Sequence, residues 1–217
     1  MKQASQKKQW DTRDRILDAA EDIFNEKGYS QTSLNEIAQA AGMTRGAIYW
    51  HFKDKGDLFC AMCERRRGSF RAPLEKVLQP DDKDPIEKLK QAHAQLIQSI
   101  VDNVCYQKII NILLFKCEHT KETDQIVIQK QEWKAYTRKL LTMALVSAQE
   151  KGSMPADLDL TMAVSILTYS YLGMLGDWLL NSERYDLVEH ARRQQDALFD
   201  MLRNSPYLRT DWQKITE

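Results

Sequence analysis

The chain has 217 residues, of which 43% are hydrophobic and 29% charged, with 31 basic and 31 acidic side chains. This composition is typical of a globular protein, and it excludes disordered, collagen-like and disulfide-rich secreted classes. We find no apolar run of the roughly 18–20 residues that would cross a bilayer. The polar start of the chain does not resemble a signal peptide, so we expect a cytoplasmic protein with no membrane association.

The charge is distributed unevenly. Positions 1–79 carry 14 Lys and Arg against 11 Asp and Glu, and the remainder of the chain is correspondingly acidic. A slightly basic N-terminal part is compatible with nucleic-acid binding, but the asymmetry is too small to indicate it alone.

Apolar residues recur at helical spacing from the beginning of the chain. Ile16, Ala20 and Phe24 lie on one face of a first helix, which Gly28 can end. Ser33 opens a capping box, because a glutamate follows three residues later, and this predicts a second, short helix that stops near the next glycine.

Further capping residues divide the rest of the chain. Thr44 can cap a third short helix, and Asp54 a longer one from Lys55 to about Gln79. After a break, Asp84 precedes a proline at the first helical position. The remaining periodicity predicts helices over 85–102, 105–118, 123–151, 157–181 and 185–203. We therefore expect an all-α protein of about nine helices, a three-helix head followed by a helical body.

The two short helices joined by Ala41-Gly42-Met43 are a candidate helix-turn-helix. The second helix of this motif directs its N-terminal residues at base edges in the major groove. Arg45 can bind guanine through O6 and N7, while Gly46 and Ala47 allow close approach to the bases.

Phosphate contacts are expected beside these base contacts. Tyr49 and His51 lie one turn further along, and Lys55 opens the next helix, where backbone N–H groups favour an anion. The full predicted DNA-binding set is Ser33, Thr44, Arg45, Gly46, Ala47, Tyr49, Trp50, His51 and Lys55.

The helix-turn-helix segment and the residues after it resemble a known family. Residues 37–55, IAQAAGMTRGAIYWHFKDK, look like the signature of TetR-type regulators, and TRGAIYWHFKDK is close to the multidrug-efflux repressors among them. ILLFKCEH at 112–119, PADL at 155–158 and YDL at 185–187 resemble segments of those repressors in the same order. The resemblance therefore covers essentially the whole chain.

The resemblance implies a function and a division of the chain into two domains. Residues 1–54 would bind a palindromic double-stranded DNA operator, and residues 55–217 would bind an effector and dimerise. The implied protein is a homodimeric transcriptional repressor of an efflux operon, released from DNA by a small hydrophobic effector. The implied effector pocket is formed by Cys63, Arg67, Phe70, Leu96, Leu114, Cys117, Trp133, Tyr136 and Asp177.

The charge of this pocket departs from the pattern of some family members. A buried glutamate on the fourth helix attracts cationic drugs in such members, and Arg67 stands at that position here. Neutral and anionic effectors therefore deserve equal weight. Asp177 lies in an apolar segment and needs a partner or a wet cavity. Arg67 could be that partner.

Family members pair through a four-helix bundle made by the last two helices of each subunit, here about 157–181 and 185–203. The pattern offers two apolar stripes for such a bundle. One comprises Leu187, Ala191, Leu198 and Leu202, and the other comprises Ala163, Ile166, Leu167 and Ser170.

The cysteines allow one alternative. Cys60 and Cys63 form a CxxC, but no second ligand pair completes a zinc site, so we expect no metal and no cofactor. Reduced, buried thiols are the plain interpretation, and a regulator that senses oxidants through Cys60 and Cys63 is the alternative. No phosphate loop or catalytic motif is found, so we do not expect an enzyme.

Overall fold

A computed structural model describes residues 2–75, 84–117 and 124–211. Within these ranges the chain is helical, and no strand longer than an isolated bridge occurs. The helices are α1 (Lys2–Lys27), α2 (Leu34–Ala40), α3 (Arg45–His51), α4 (Lys55–Glu75), α5 (Pro85–Val101), α6 (Val104–Phe115), α7 (Asp124–Glu150), α8 (Leu160–Leu180) and α9 (Leu187–Asn204). The expected all-α fold of about nine helices is confirmed.

Local signals account for most helix boundaries. Gly28 has a φ of 86°, a left-handed conformation that favours glycine, and it directly follows α1. The capping box of Ser33 is formed on both sides, and the Thr44 hydroxyl accepts from the third backbone N–H of α3. Asp84 accepts two backbone N–H bonds at the start of α5.

Some helix boundaries differ from the predicted ones. We predicted that α8 begins near residue 157, but Asp159 caps it, because Leu158 instead forms a bridge with Arg209. The predicted end of α6 at 118 was too late, because the helix ends at Phe115. The predicted end of α4 at Gln79 and the predicted start of α7 at 123 lie outside the described residues.

Two compact units make up the chain. The first comprises Met1–Gly68 and Val104–Glu132, and the second comprises Ser69–Asn103 and Trp133–Glu217. Helices α4 and α7 contribute residues to both.

An aromatic cluster lies at the centre of the first unit. The rings of Phe24, Tyr29 and Phe59 are buried with centroids 5.4–5.5 Å apart, one pair stacked and two edge to face. The backbone N–H of Tyr29 donates to the carbonyl of Lys116 at 2.9 Å, which attaches the loop after α1 to the end of α6.

Arg65 joins α4 to α1. Its guanidinium contacts three carboxylates that lie on one face of α1, at 3.7 Å for Asp14, 2.7 Å for Asp18 and 2.5 Å for Glu21. Glu21 is almost fully buried, so a close cation is needed to offset the desolvation of its carboxylate.

The second unit contains its own core, and this core corrects our interpretation of the dimer stripes. Ala163 and Leu167 of α8 are buried against Leu202 of α9 within one chain. Leu187 and Ala191 are buried as well. These residues are not available to a partner, because the inner face of α9 packs on its own subunit.

The described helices contain no segment that is both long and apolar enough to span a membrane.

We predict that Arg65→Ala lowers the free energy of unfolding by about 3 kcal/mol, because Glu21 keeps a buried carboxylate but loses its arginine. Chemical denaturation measures this change. Arg192→Ala removes an exposed pair with Glu189 and should leave stability unchanged. Equal, small effects of the two variants would contradict the role assigned to Arg65.

Candidate DNA-binding interface

The turn between α2 and α3 is fixed by backbone and side-chain bonds. Gly42 has a φ of 66°, and the N–H of Met43 donates to the carbonyl of Ala38 at 2.9 Å. Arg15, from α1, donates to the carbonyl of Ala41 at 2.9 Å. The last turn of α2 therefore has a partner 26 residues away in the chain.

Helix α3 has a single buried face. Ile48 is fully buried, and Phe52 directly after the helix is buried too. The opposite face is exposed, with Trp50 at 68% and Tyr49 at 48% of their full accessible surface. Exposed aromatic side chains on a short helix indicate a surface that meets a partner.

Arg45 and Tyr49 form a pair on this exposed face. Arg45 Nη2 donates to the Tyr49 hydroxyl at 3.0 Å, and the guanidinium lies 5.3 Å from the centre of the Tyr49 ring. The pair holds the arginine at the surface, where exchange of the tyrosine for a base edge requires no unfolding of the helix.

Gly46 is not required by the protein itself. Its φ lies outside the left-handed region, and a Cβ added there would meet only the Thr44 hydroxyl, at 3.8 Å. Glycine within a helix is less favourable than alanine by roughly 1 kcal/mol. The missing side chain is therefore explained better by close approach of another molecule than by the fold.

The structure gives the Lys55 side chain partners within the protein. Its ammonium group donates to the carbonyls of Tyr29 and Thr32 at 3.0 and 2.9 Å, and lies 4.5 Å from the centre of the Tyr29 ring. The side chain thus binds the loop between α1 and α2 instead of standing free at the surface.

The other predicted contacts occupy the ends of α2 and α3. Ser33 and Thr44 are exposed caps whose hydroxyls bind their own helices. His51 is half-buried beside Trp50, at 4.9 Å between ring centres. Desolvation, followed by the charge of Arg13, lowers the pKa of His51. A phosphate contact by His51 would accordingly use a neutral N–H group. Ala47 is half-buried on the same helix.

Sequence reasoning missed Arg13 and Arg15 on α1. The Arg13 guanidinium lies 5.3 Å from the centre of the Phe52 ring, and Arg15 binds the helix-turn-helix as described above. Nothing local in the sequence identifies these roles, since both partners are more than 25 residues away.

The residues predicted for an effector pocket divide between the two units. Cys63, Leu114 and Cys117 belong to the first unit. Leu96, Trp133, Tyr136 and Asp177 belong to the second. The side chains of Arg67 and Phe70 lie outside the described part of the structure.

Asp177 has a different partner from the one we considered. Its carboxylate accepts from Arg184 at 2.9 Å, and the side chain is 45% exposed. In the second unit Asp177 is therefore a surface carboxylate with an arginine partner seven residues along the chain, not a buried charge awaiting Arg67.

The cysteines lack the character of reactive thiols. Burial raises the pKa of Cys63 far above its usual range, and it also raises the pKa values of Cys60 and Cys117. Because the thiolate is the reactive form, these cysteines are poor targets for oxidants. The oxidant-sensing alternative receives no support. In the described residues no cluster of three or more His, Cys, Asp or Glu could hold a metal ion.

Comparison with known proteins places this interface in a family. Residues 16–62 match the bacterial regulatory proteins of the tetR family, and residues 84–204 match the C-terminal region of the MAATS-type transcriptional repressors. The transcriptional regulator AcrR of Shigella flexneri is 36% identical over 92% of this chain and 93% of its own.

Solved structures of efflux-pump repressors are similar to this chain. NalD, the secondary repressor of the MexAB-OprM multidrug efflux pump in Pseudomonas aeruginosa, has a TM-score of 0.81 and 30% identity, covering 90% of this chain and 98% of its own. SmeT in complex with triclosan, a repressor of a Stenotrophomonas maltophilia efflux pump, has a TM-score of 0.79 and 27% identity, covering 89% and 92%.

With a helix-turn-helix at residues 34–51 and matches along both parts of its length, the chain belongs to the TetR family of transcriptional regulators.

Proposed function

We propose that this protein represses a multidrug efflux operon by binding a palindromic operator as a homodimer, and that a small hydrophobic effector releases it. NalD and SmeT, which repress efflux pumps, support the choice of target. The triclosan complex of SmeT supports a small hydrophobic effector. In this proposal residues 1–54 bind DNA and residues 55–217 bind the effector and dimerise.

The exposed face of α3 is the observation that carries the proposal. Arg45 is held at the surface by Tyr49, and Gly46 leaves space that the fold does not need. A major groove accepts an α-helix of this kind, and an arginine can bind guanine there through two hydrogen bonds. Ser33, Thr44, Trp50 and His51 flank this face as candidate backbone contacts.

The outer face of α8 supplies the surface proposed for dimerisation. Met162, Tyr169, Leu172 and Leu180 are exposed, and their spacing places them along one side of the helix. Gly173 lies in the same stripe, and a Cβ there would meet nothing within 4 Å. A two-fold dimer built on this face would present two copies of α3 to a near-palindromic operator.

Selection of bound fragments from genomic DNA, followed by fluorescence anisotropy with and without candidate effectors, tests the function directly. We expect a near-palindromic site and loss of binding on addition of an effector such as triclosan. A tenfold loss requires only about 1.4 kcal/mol of preference for the unbound conformation. A single asymmetric half-site, or no release by any compound, would contradict the proposal.

We predict opposite effects of Gly46→Ala on stability and on DNA binding. Alanine should stabilise α3 by about 0.5–1 kcal/mol, while the added methyl group should weaken operator binding about tenfold. Thermal unfolding and anisotropy measure the two effects. Arg45→Ala should instead relax base preference at one position per half-site, at roughly 1–3 kcal/mol. Unchanged operator binding by both variants would remove α3 from the interface.

We predict that Lys55→Ala acts mainly on stability, lowering the free energy of unfolding by about 1–3 kcal/mol through loss of two charge-assisted hydrogen bonds. Lys53→Ala, at an exposed position, is the comparison and should leave stability unchanged. The salt dependence of operator binding distinguishes the two interpretations of Lys55. A stable Lys55→Ala protein whose salt slope falls by about one unit would restore the phosphate contact.

We predict that Gly173→Lys converts the dimer to a monomer. The subunit has room for the side chain, and lysine is a better helix former than glycine, so the fold itself should be unharmed. A charge at the centre of the stripe would oppose pairing. Light scattering at micromolar concentration reports the mass, with Gln91→Lys on exposed α5 surface as the control. A dimeric Gly173→Lys protein would overturn this interface.

A further inference from the structure

Three helices of the second unit meet at a buried polar cluster, which we define as His93 of α5, Tyr171 of α8 and Gln195 of α9. The imidazole of His93 is stacked on the Tyr171 ring, with centres 3.9 Å apart. His93 is only 7% exposed and Gln195 only 4%. The Gln195 amide lies within hydrogen-bonding reach of the Tyr171 hydroxyl, but the geometry of this contact satisfies neither group.

Each member of the cluster carries an unsatisfied polar atom. His93 Nδ1, the Tyr171 hydroxyl and Gln195 Nε2 each have less than 1 Å² of accessible surface and no hydrogen-bond partner of acceptable geometry. An unsatisfied buried polar group costs roughly 1–3 kcal/mol. Thr168, also buried on α8, is satisfied because its hydroxyl donates to the carbonyl of Val164 at 2.7 Å. Among the described residues, Arg65, Thr137 and Gln194 also have one unsatisfied buried atom each. The cluster differs from these in that two of its members, His93 and Tyr171, are in direct ring contact.

The cluster is polar but uncharged. Desolvation alone lowers the pKa of His93 to about 4, so the imidazole is neutral near pH 7. Desolvation also raises the pKa of Tyr171, which keeps its proton. Two charged neighbours in sequence are paired with each other, since Lys90 donates to Asp196 at 2.5 Å.

Neutral donors and acceptors without a counter-ion suit one class of ligand. A hydroxyl or carbonyl oxygen of the ligand can accept a hydrogen bond from the Gln195 amide. A ligand hydroxyl can in addition donate a hydrogen bond to an imidazole nitrogen or to a phenol oxygen. Among the described residues, no charged group contributes to the lowered pKa of His93. A lipophilic cation would therefore find no described carboxylate beside His93 to offset its desolvation, and an anion would find no described ammonium group there.

We propose that the cluster of His93, Tyr171 and Gln195 binds the hydroxyl or carbonyl end of an uncharged, otherwise apolar effector. This inference rests on the proposed function, because it assigns the chemical class of the effector that the repressor responds to. It moves the determinants of effector choice from charged groups such as Arg67 and Asp177 to neutral groups inside the second unit.

A binding role and a purely structural role predict opposite effects of His93→Leu. If the polar atoms serve a ligand, leucine removes an unsatisfied group, and the ligand-free protein melts at the same or a higher temperature. If they belong to a structural network, leucine breaks that network and the melting temperature falls. His190→Leu replaces an exposed histidine of α9 and is the matched control. Tyr171→Phe, which deletes only the hydroxyl, is the second variant.

Binding is measured by titration calorimetry on the full-length protein with three probes: para-octylphenol, its methyl ether and tetraphenylphosphonium. We expect the wild type to bind the phenol about tenfold more tightly than the ether, and more tightly than the cation. In His93→Leu and in Tyr171→Phe the preference for the phenol should shrink toward one. His190→Leu should behave as the wild type.

Several results would overturn the proposal. These are a lower melting temperature of His93→Leu and Tyr171→Phe without probe, an unchanged phenol-to-ether ratio in both, tighter binding of the cation, or no binding of the phenol by the wild type. Failure of the proposed function is a separate result. The protein would then bind the probes as expected, but no operator would be found, or its operator complex would not respond to them.

Discussion

Helix α3 is seven residues long, and a helix of that length is not stable in water by itself. Its position at the surface is therefore imposed by what lies beneath and at its ends. Ile48 attaches it to the core of the first unit, Thr44 caps its start, and the turn before it depends on Gly42 and on Arg15 of α1. The DNA-binding surface is as rigid as these attachments allow.

The helix-turn-helix rests on α1 and α4, which are themselves joined by several contacts. Lys55 connects the start of α4 to the loop after α1, and Arg65, about three turns further on, connects the same two helices again through Glu21. The aromatic cluster of Phe24, Tyr29 and Phe59 lies in the same unit. Two polar links and one apolar contact thus hold α1 and α4 as one body, so a change in the direction of α4 would be transmitted to the helix-turn-helix.

The sequence alone predicts those features of the structure in which the interacting residues are close together in the chain. The caps of Ser33, Thr44 and Asp84 and the glycine after α1 were all readable, because each involves groups within four positions. It does not identify the roles of Lys55 and Arg15, whose partners lie 26 residues away. Periodicity also detects the apolar faces of α8 and α9, but it cannot say which face packs inside the subunit.

The best evidence for function comes from positions where the residue present does not contribute to the stability of the fold. Gly46 lowers helix stability without relieving any contact, and Trp50 exposes a large ring. His93 and Gln195 leave polar atoms unsatisfied in a core that leucine could fill. Natural sequences agree with their folds at most positions and depart from them where another molecule sets the requirement. Among the described residues this criterion selects the exposed face of α3, proposed to bind DNA, and the buried, neutral polar cluster, proposed to bind an uncharged ligand. It also selects the exposed apolar face of α8.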